Sequence, residues 1–233
     1  MARSGGSNEW ISITDMMAGL MMVFMLIAIG FMWQTEEEKD AIAQIAVAYD
    51  RSKTKLNEAL VDEFKQDLPR WGAEILADNT VRFKEPEILF AVNSASIKGG
   101  FQDILRDFFP RYVEILSREE FREDVAEIRI EGHTSSDWGG AVTREEAYIK
   151  NARLSQDRSF SVLDYVFNMS AKEEVERDWL VAVLRANGLS FANPVLKADG
   201  SEDSDRSRRV EFRVLTKTED KIYRILQQSR SDA

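Results

Sequence analysis

Residues 208–215 read RRVEFRVL. Charged residues alternate there with Val210, Phe212 and Val214, and a period of two predicts a β-strand with one face on a core and one face solvated. The same alternation runs through AEIRIEG at 126–132. Outward from these two segments, TVRFK at 80–84 and EILFAV at 87–92 predict two further strands joined by a turn at Pro86. Helical spacing takes over between them. Phe101, Ile104, Leu105, Phe108, Phe109, Val113 and Leu116 predict a helix over Gly99 to Leu116 despite Pro110. Residues 147–167 and 173–186 predict two more, the second ending at Asn187-Gly188, and 219–228 a short terminal one. Strands and helices mixed over about 140 residues make one compact α+β domain.

Before that domain, Thr35 to Leu76 has a helical composition, with no proline before Pro69 and no glycine before Gly72. Ile42, Ile45, Tyr49, Leu56, Leu60, Phe64, Leu68 and Trp71 form one apolar stripe on an otherwise charged helix. Two readings fit the stripe: a parallel dimer stalk extending about 50 Å, or a helix packed along its own domain.

Further upstream lies an apolar run, Ile11 to Met32, flanked by Trp10 and Trp33. It is long enough to cross a hydrocarbon core about 30 Å thick, and tryptophans suit the two headgroup levels. Asp15 sits inside it. A carboxylate in a membrane helix is costly and faces a partner helix or a water path. Asp15, Ala18, Gly19, Met22, Leu26 and Ile29 share one face, and Ala18 and Gly19 allow a second helix to approach closely. The residues leave two roles for Asp15: a proton or ion site between helices, or a marker of the membrane boundary. Arg3 precedes the run and Glu36, Glu37 and Glu38 follow it. This polarity predicts an uncleaved anchor with its N-terminus in the cytoplasm and its C-terminal part in the periplasm.

Composition narrows the chemistry. There is no cysteine and one histidine, His133, which leaves no zinc site of the usual Cys/His kind. A net charge of -10 argues against a broad nucleic-acid surface. No nucleophile–base constellation, phosphate loop or HExxH helix is present, so the expectation is a protein that is not an enzyme. His133 is expected to bond backbone near a strand end. Arg208 and Arg209 read as structural or rim charges, and Asp199, Asp203 and Asp205 as a solvated acidic loop whose spacing does not fit an EF-hand.

Four segments, FAVNSASI (90–97), IRIEGHT (128–134), YIKNARLSQDRS (148–159) and SRRVEF (207–212), occur in the order of an OmpA-like peptidoglycan-binding domain. The chain resembles that family over residues 78–216. Its WISITDMMAGLMMVF span (10–24) resembles MotB-like stator subunits, in particular the MotB-like component of Zorya anti-phage systems. The resemblance implies a fold and a set of roles. The fold is a membrane-anchored α+β protein: one transmembrane helix, a helical stalk and an OmpA-like α/β sandwich. Asp15 is implied as the ion-translocating acid, and Asp137, Tyr148, Asn151, Leu154 and Arg158 as the peptidoglycan site. There Arg158 meets a diaminopimelate carboxylate of the stem peptide and an acid holds the ammonium. The family places that acid directly after the Gly-His-Thr; here Ser135 and Ser136 intervene and Asp137 is the first acid.

The implied organisation is a cytoplasmic tail (1–9), a transmembrane helix (10–33), a periplasmic stalk (34–77), the peptidoglycan domain (78–216) and a C-terminal helix and tail (217–233). The implied partners are a second copy, a pentamer of a MotA-like multi-span subunit, peptidoglycan and, indirectly, cytosolic defence effectors. No cofactor is expected beyond a transported ion, a proton before sodium. A flagellar-type stator and a static tether from inner membrane to wall are the rival functions.

Overall fold

The computed structural model describes residues 6–84, 89–91, 94–140, 143–170 and 174–217. The chain divides into two units between Tyr49 and Asp50. Helix α1 (Gly6–Phe64) contributes to both. In the first unit its segment Thr14–Glu36 has a mean hydropathy of 2.2, with nothing in its apolar window buried, and is long and apolar enough to cross a membrane. The side chains of Ile42, Ile45 and Tyr49 lie outside the described residues.

In the second unit the stripe on α1 meets the domain's own core. Leu56, Leu60 and Phe64, four residues apart, are buried with Trp71 of the short helix α2 (Leu68–Trp71). Spacing of four stacks side chains on one helix face, and that face packs against Phe108 of the next long helix, with Phe64 and Phe108 ring centroids 5.2 Å apart. Asn57 Nδ2 donates to the Leu76 carbonyl at 2.8 Å. The stalk expected over 34–77 therefore ends earlier: from Leu56 the helix belongs to the domain, and residues 73–75 already form its first strand. Burial against an aromatic cluster within the same chain satisfies this part of the stripe without a partner.

The remaining elements follow in order: β1 (Ala73–Ile75), β2 (Val81–Phe83), α3 (Gly99–Leu116), α4 (Glu119–Arg122), β3 (Val125–Gly132), α5 (Arg144–Ser170), α6 (Glu174–Val183), β4 (Leu184–Gly188), α7 (Ser204–Ser207) and β5 (Val210–Thr216). The sheet order is β1-β2-β5-β3-β4, antiparallel throughout except for the parallel pair β3 and β4. Alternation puts Val81, Phe83, Ile128, Ile130, Val210 and Phe212 in the core. There Phe108 of α3 is the hub, with ring centroids 5.3 Å from Phe83 and 5.1 Å from Phe212. The other face carries a row across all five strands in register: Glu74, Arg82, Glu211, Glu131 and Asn187.

Two expectations are corrected. The helix expected over 173–186 stops at Val183, and 184–188 pair as β4 with the free edge of β3, Leu184 opposite Ile128 and Gly188 opposite Gly132. Arg185 donates to the Val181, Ala182 and Leu184 carbonyls and closes the end of the helix. The strand expected at 87–92 does not enter the sheet among the described residues; Phe90 instead bridges Ile97. The terminal helix expected over 219–228 lies outside the described residues.

Gly132 and Gly188 let α5 come down onto the sheet. A Cβ on the first would overlap the Ser155 carbonyl, and on the second the backbone of Gln156. This close approach sets Ser155 beside the ends of β3 and β4 and thereby builds the site.

Candidate functional site

Asn151, Ser155 and Arg158 are spaced at four and three, so they share one face of α5. Ser155 is the hinge pin of the arrangement: its hydroxyl accepts from the Ser190 N–H at 2.9 Å, and the Ser190 carbonyl accepts from the Thr134 N–H at 2.9 Å. Thr134 in turn follows His133, whose N–H donates to the Arg209 carbonyl at 3.0 Å. Strand alternation then sorts the side chains at this end of the sheet. Thr134 and Arg208 fall on the face toward α5, and His133 and Arg209 on the opposite face.

On the α5 side, the guanidinium of Arg158 is half-buried. It donates through Nε to the Ser94 carbonyl at 3.0 Å and lies 5.0 Å from the centre of the Phe90 ring. Among the described residues no carboxylate pairs with it. Asp157 pairs instead with Arg153 at 3.3 Å, so the surface ion pair that a solvated helix would offer Arg158 is taken. Burial first, and the charge of nearby Arg208 second, push the Arg158 pKa down to about 10. It remains a cation at neutral pH, partly desolvated and without a counter-ion among the described residues. Two further polar atoms are buried there with no hydrogen-bond partner among the described residues, Asn151 Nδ2 and Thr134 Oγ1. Buried polar atoms are paired as a rule, so these two atoms and the partly desolvated cation of α5 single out this face as the candidate site.

The opposite face carries an ion network, in which the two ring nitrogens of His133 are buried without a hydrogen-bond partner among the described residues. Glu211 Oε1 accepts from Arg82 Nε at 2.7 Å and Arg209 Nε at 2.6 Å, while its Oε2 lies 3.4 Å from His133 Nε2. Burial opposes ionisation of Glu211, but His133 and Arg209 outweigh it and hold the carboxyl well below the usual range. Burial pushes the Glu131 carboxyl up. Glu131, His133 and Glu211 bring three potential metal ligands within 4.8 Å of one another. Two arginines fixed on Glu211 make this an internal ion network rather than a site for a dication.

The remaining sequence-predicted residues are placed differently. Leu154 is half-buried on α5. Asp137 is exposed and its Oδ2 accepts from Ser204 Oγ at 2.7 Å, which ties the loop after Thr134 to the segment leading into Arg208. Tyr148 is 45% exposed. Its ring meets Phe191 edge-on at 5.5 Å in a groove of about 600 Å³ lined also by Arg144, Glu145, Ile149 and Pro194. That groove is one helical turn from Asn151. Asp15 is exposed on α1 in the first unit.

No protein-family model matches the chain. Over 223 residues, 95% of this chain and 94% of the relative, it is 43% identical to the Zorya protein ZorB of the Escherichia coli Crooks strain. The chain belongs to the ZorB family. A second ZorB, from an Escherichia coli ETEC strain, is 24% identical over 213 residues, 88% of this chain and 79% of that one. Among solved structures, a putative MotB-like protein from Desulfovibrio vulgaris is similar with a TM-score of 0.45 and 22% identity, covering 77% of this chain and 98% of that chain.

Sequence reasoning toward this ZorB-family site missed Phe90, Ser94 and Ser190. Ser94 lies 64 positions from Arg158 in sequence, and no periodicity connects them. Arg208 had a signal: it shares strand parity with Val210 and Phe212, and so the core side.

Proposed function

We propose that this chain is the wall-anchored, ion-driven stator subunit of a Zorya-type inner-membrane complex that defends against phage. One observation carries the reading: a chain 43% identical to ZorB over 95% of its length keeps a single acid, Asp15, within the apolar run Ile11 to Met32. In this reading the N-terminus is cytoplasmic and the second unit periplasmic. Two copies pair inside a pentamer of a multi-span MotA-like subunit. Asp15 takes up a proton at the helix interface, loses its charge, and so changes its fit against the partner. Moving one charge through 100 mV is worth about 2.3 kcal/mol, enough to bias a conformational step.

Work on a partner requires a fixed point. Arg158, Asn151 and Thr134 form that grip: the guanidinium forks onto a carboxylate of the peptidoglycan stem while the amide and hydroxyl fill its remaining lone pairs. Asp137 lies on the rim and Leu154 and Tyr148 along the same helix, where they shape the approach of the stem and glycan. The chain thus acts by binding and ion movement, with coupling to cytosolic effectors through the partner.

The test is the plating efficiency of phage on cells carrying the whole system with Asp15→Asn, after membrane insertion is checked. Asparagine keeps size and polarity and cannot gain or lose a proton. Loss of protection to the level of cells lacking the system is expected. Full protection with Asp15→Asn alongside loss with Arg158→Ala makes the chain a static tether and overturns the stator reading.

A further inference from the structure

β4 ends the sheet, and no strand lies beyond it among the described residues. The Leu189 N–H donates to the Gly132 carbonyl at 2.9 Å, on the β3 side. Backbone groups of alternate residues in a strand point to opposite neighbours, so those of Leu184, Ala186 and Gly188 point outward, away from β3. An outward row of this kind is a template for a further strand.

Here the chain fills the row itself. Gln156 of α5 donates through Nε2 to the Ala186 carbonyl at 3.2 Å, and its Oε1 accepts the Gly188 N–H at 2.8 Å. One residue of a parallel neighbouring strand would use its backbone N–H and carbonyl on the same two partners, and a side-chain amide carries the same donor and acceptor. Arg185 takes the next outward carbonyl, that of Leu184, at 2.8 Å. The reach depends on Gly188, whose missing Cβ lets the backbone of Gln156 lie against the strand.

The rim of this edge is apolar and uncovered. Ile149, Arg153, Gln156 and Phe160 are spaced at four, three and four, so they share the face of α5 that overhangs β4. Ile149 is 66% exposed and Phe160 59%. Val181, whose carbonyl also accepts from Arg185, is exposed at the other end of the edge.

We infer that the outer edge of β4 is a pairing edge for a second copy of this chain, held shut in the single copy by Gln156 and Arg185. The edge is the same on both copies, so antiparallel pairing about Ala186 sets Leu184 of one copy opposite Gly188 of the other and is closed by a twofold axis. Ile149 and Phe160 of each copy then lie at the seam. Gln156 is exposed, and turning its side chain outward gives up two hydrogen bonds that water replaces. This pairing lies beyond the proposed function, which joins two copies through the membrane helix, and it is independent of the ligand site on α5.

The chain contains no cysteine, so Arg153→Cys places a single thiol on the overhanging face. The full chain carrying it is treated in detergent with a short bismaleimide, with and without Gln156→Ala. Crosslinked dimer is expected to rise at least fivefold with Gln156→Ala. Adding Phe160→Glu is expected to return it to the starting level, because a charge at the seam keeps the edges apart. Hydrogen exchange reads the strand itself. With both substitutions the Gly188 amide has neither lid nor partner and is expected to exchange at least tenfold faster than in wild type. Crosslinking that Gln156→Ala leaves unchanged, or that survives Phe160→Glu, overturns the inference. Exchange at Gly188 equal to wild type in the double variant removes Gln156 as the lid and overturns it as well.

Discussion

Two arginines in this molecule lie over a phenylalanine ring at nearly the same distance, Arg111 4.9 Å from Phe64 and Arg158 5.0 Å from Phe90. Their surroundings are opposite. Arg111 is met by Glu63 at 2.7 Å, Asp67 at 3.0 Å and Asp107 at 3.1 Å, and it also donates to the Glu63 carbonyl. Burial works against its charge, but the three acids more than offset it and its pKa rises. Arg158 has a carbonyl and a ring, and its pKa falls. The first arginine rivets the end of α1 to α3. The second is a partly desolvated charge that no carboxylate among the described residues meets. Removing one partner from a closed buried ion network is destabilising because it leaves the other charge unpaired.

The comparison is broken most forcefully at Glu211, the acid that closes the network on the far side of the sheet. Glu211→Gln leaves Arg209 an uncompensated buried charge and Arg82 with Glu74 alone at 3.2 Å, and a loss of about 3 kcal/mol is expected in urea unfolding. A change under about 0.5 kcal/mol shows that closure is irrelevant to the fold. Next comes the rivet. Arg111→Ala is expected to cost about 2 kcal/mol, less than a fully buried pair because the side chain is partly in water, and to leave sacculus co-sedimentation unchanged.

Acid sharpens the same contrast. The folded Glu211 carboxyl ionises below its unfolded value of about 4.3. The stability it contributes is therefore complete above that value and is lost as pH falls below it toward the folded pKa. Wild type is expected to lose stability more steeply below about pH 4 than Glu211→Gln, read from thermal midpoints across the range. Glu131 has the reverse sign: its folded pKa lies above the unfolded one, so stability falls as pH rises through the interval between them. The smallest effect on folding is expected from Arg158→Ala, within about 1 kcal/mol of wild type, because no ion pair among the described residues is broken and only the Ser94 hydrogen bond and the Phe90 contact are lost. That variant should nonetheless lose at least tenfold in sacculus binding, and an equal fall in stability and binding would make Arg158 a second rivet.

Much of this was legible from residues near one another in sequence. The alternation in 208–215 and 126–132 yields β5 and β3, and the spacing of Phe101 to Leu116 yields α3 end to end, since one proline in a strongly amphipathic helix is outweighed by the burial of its apolar face. Asn151 and Arg158 stood out through family resemblance alone. The stripe on α1 was legible as a stripe, but its target was not. A periodic apolar face asks only to be covered, and a partner helix and the chain's own Phe108 cover it equally well in sequence terms.

By itself, then, the sequence determined which faces are apolar, which strands alternate and where a lone acid enters an apolar helix. These are local properties, fixed by spacings of two and of three to four along a single element. Only the tertiary structure decided that Leu184–Gly188 leaves its helix for the edge of β3, that Leu56 onward belongs to the domain core, and that Arg111 is compensated while Arg158 meets no carboxylate among the described residues. Edge pairing, core burial and charge compensation each depend on partners brought together from distant parts of the chain, and no local periodicity carries that information.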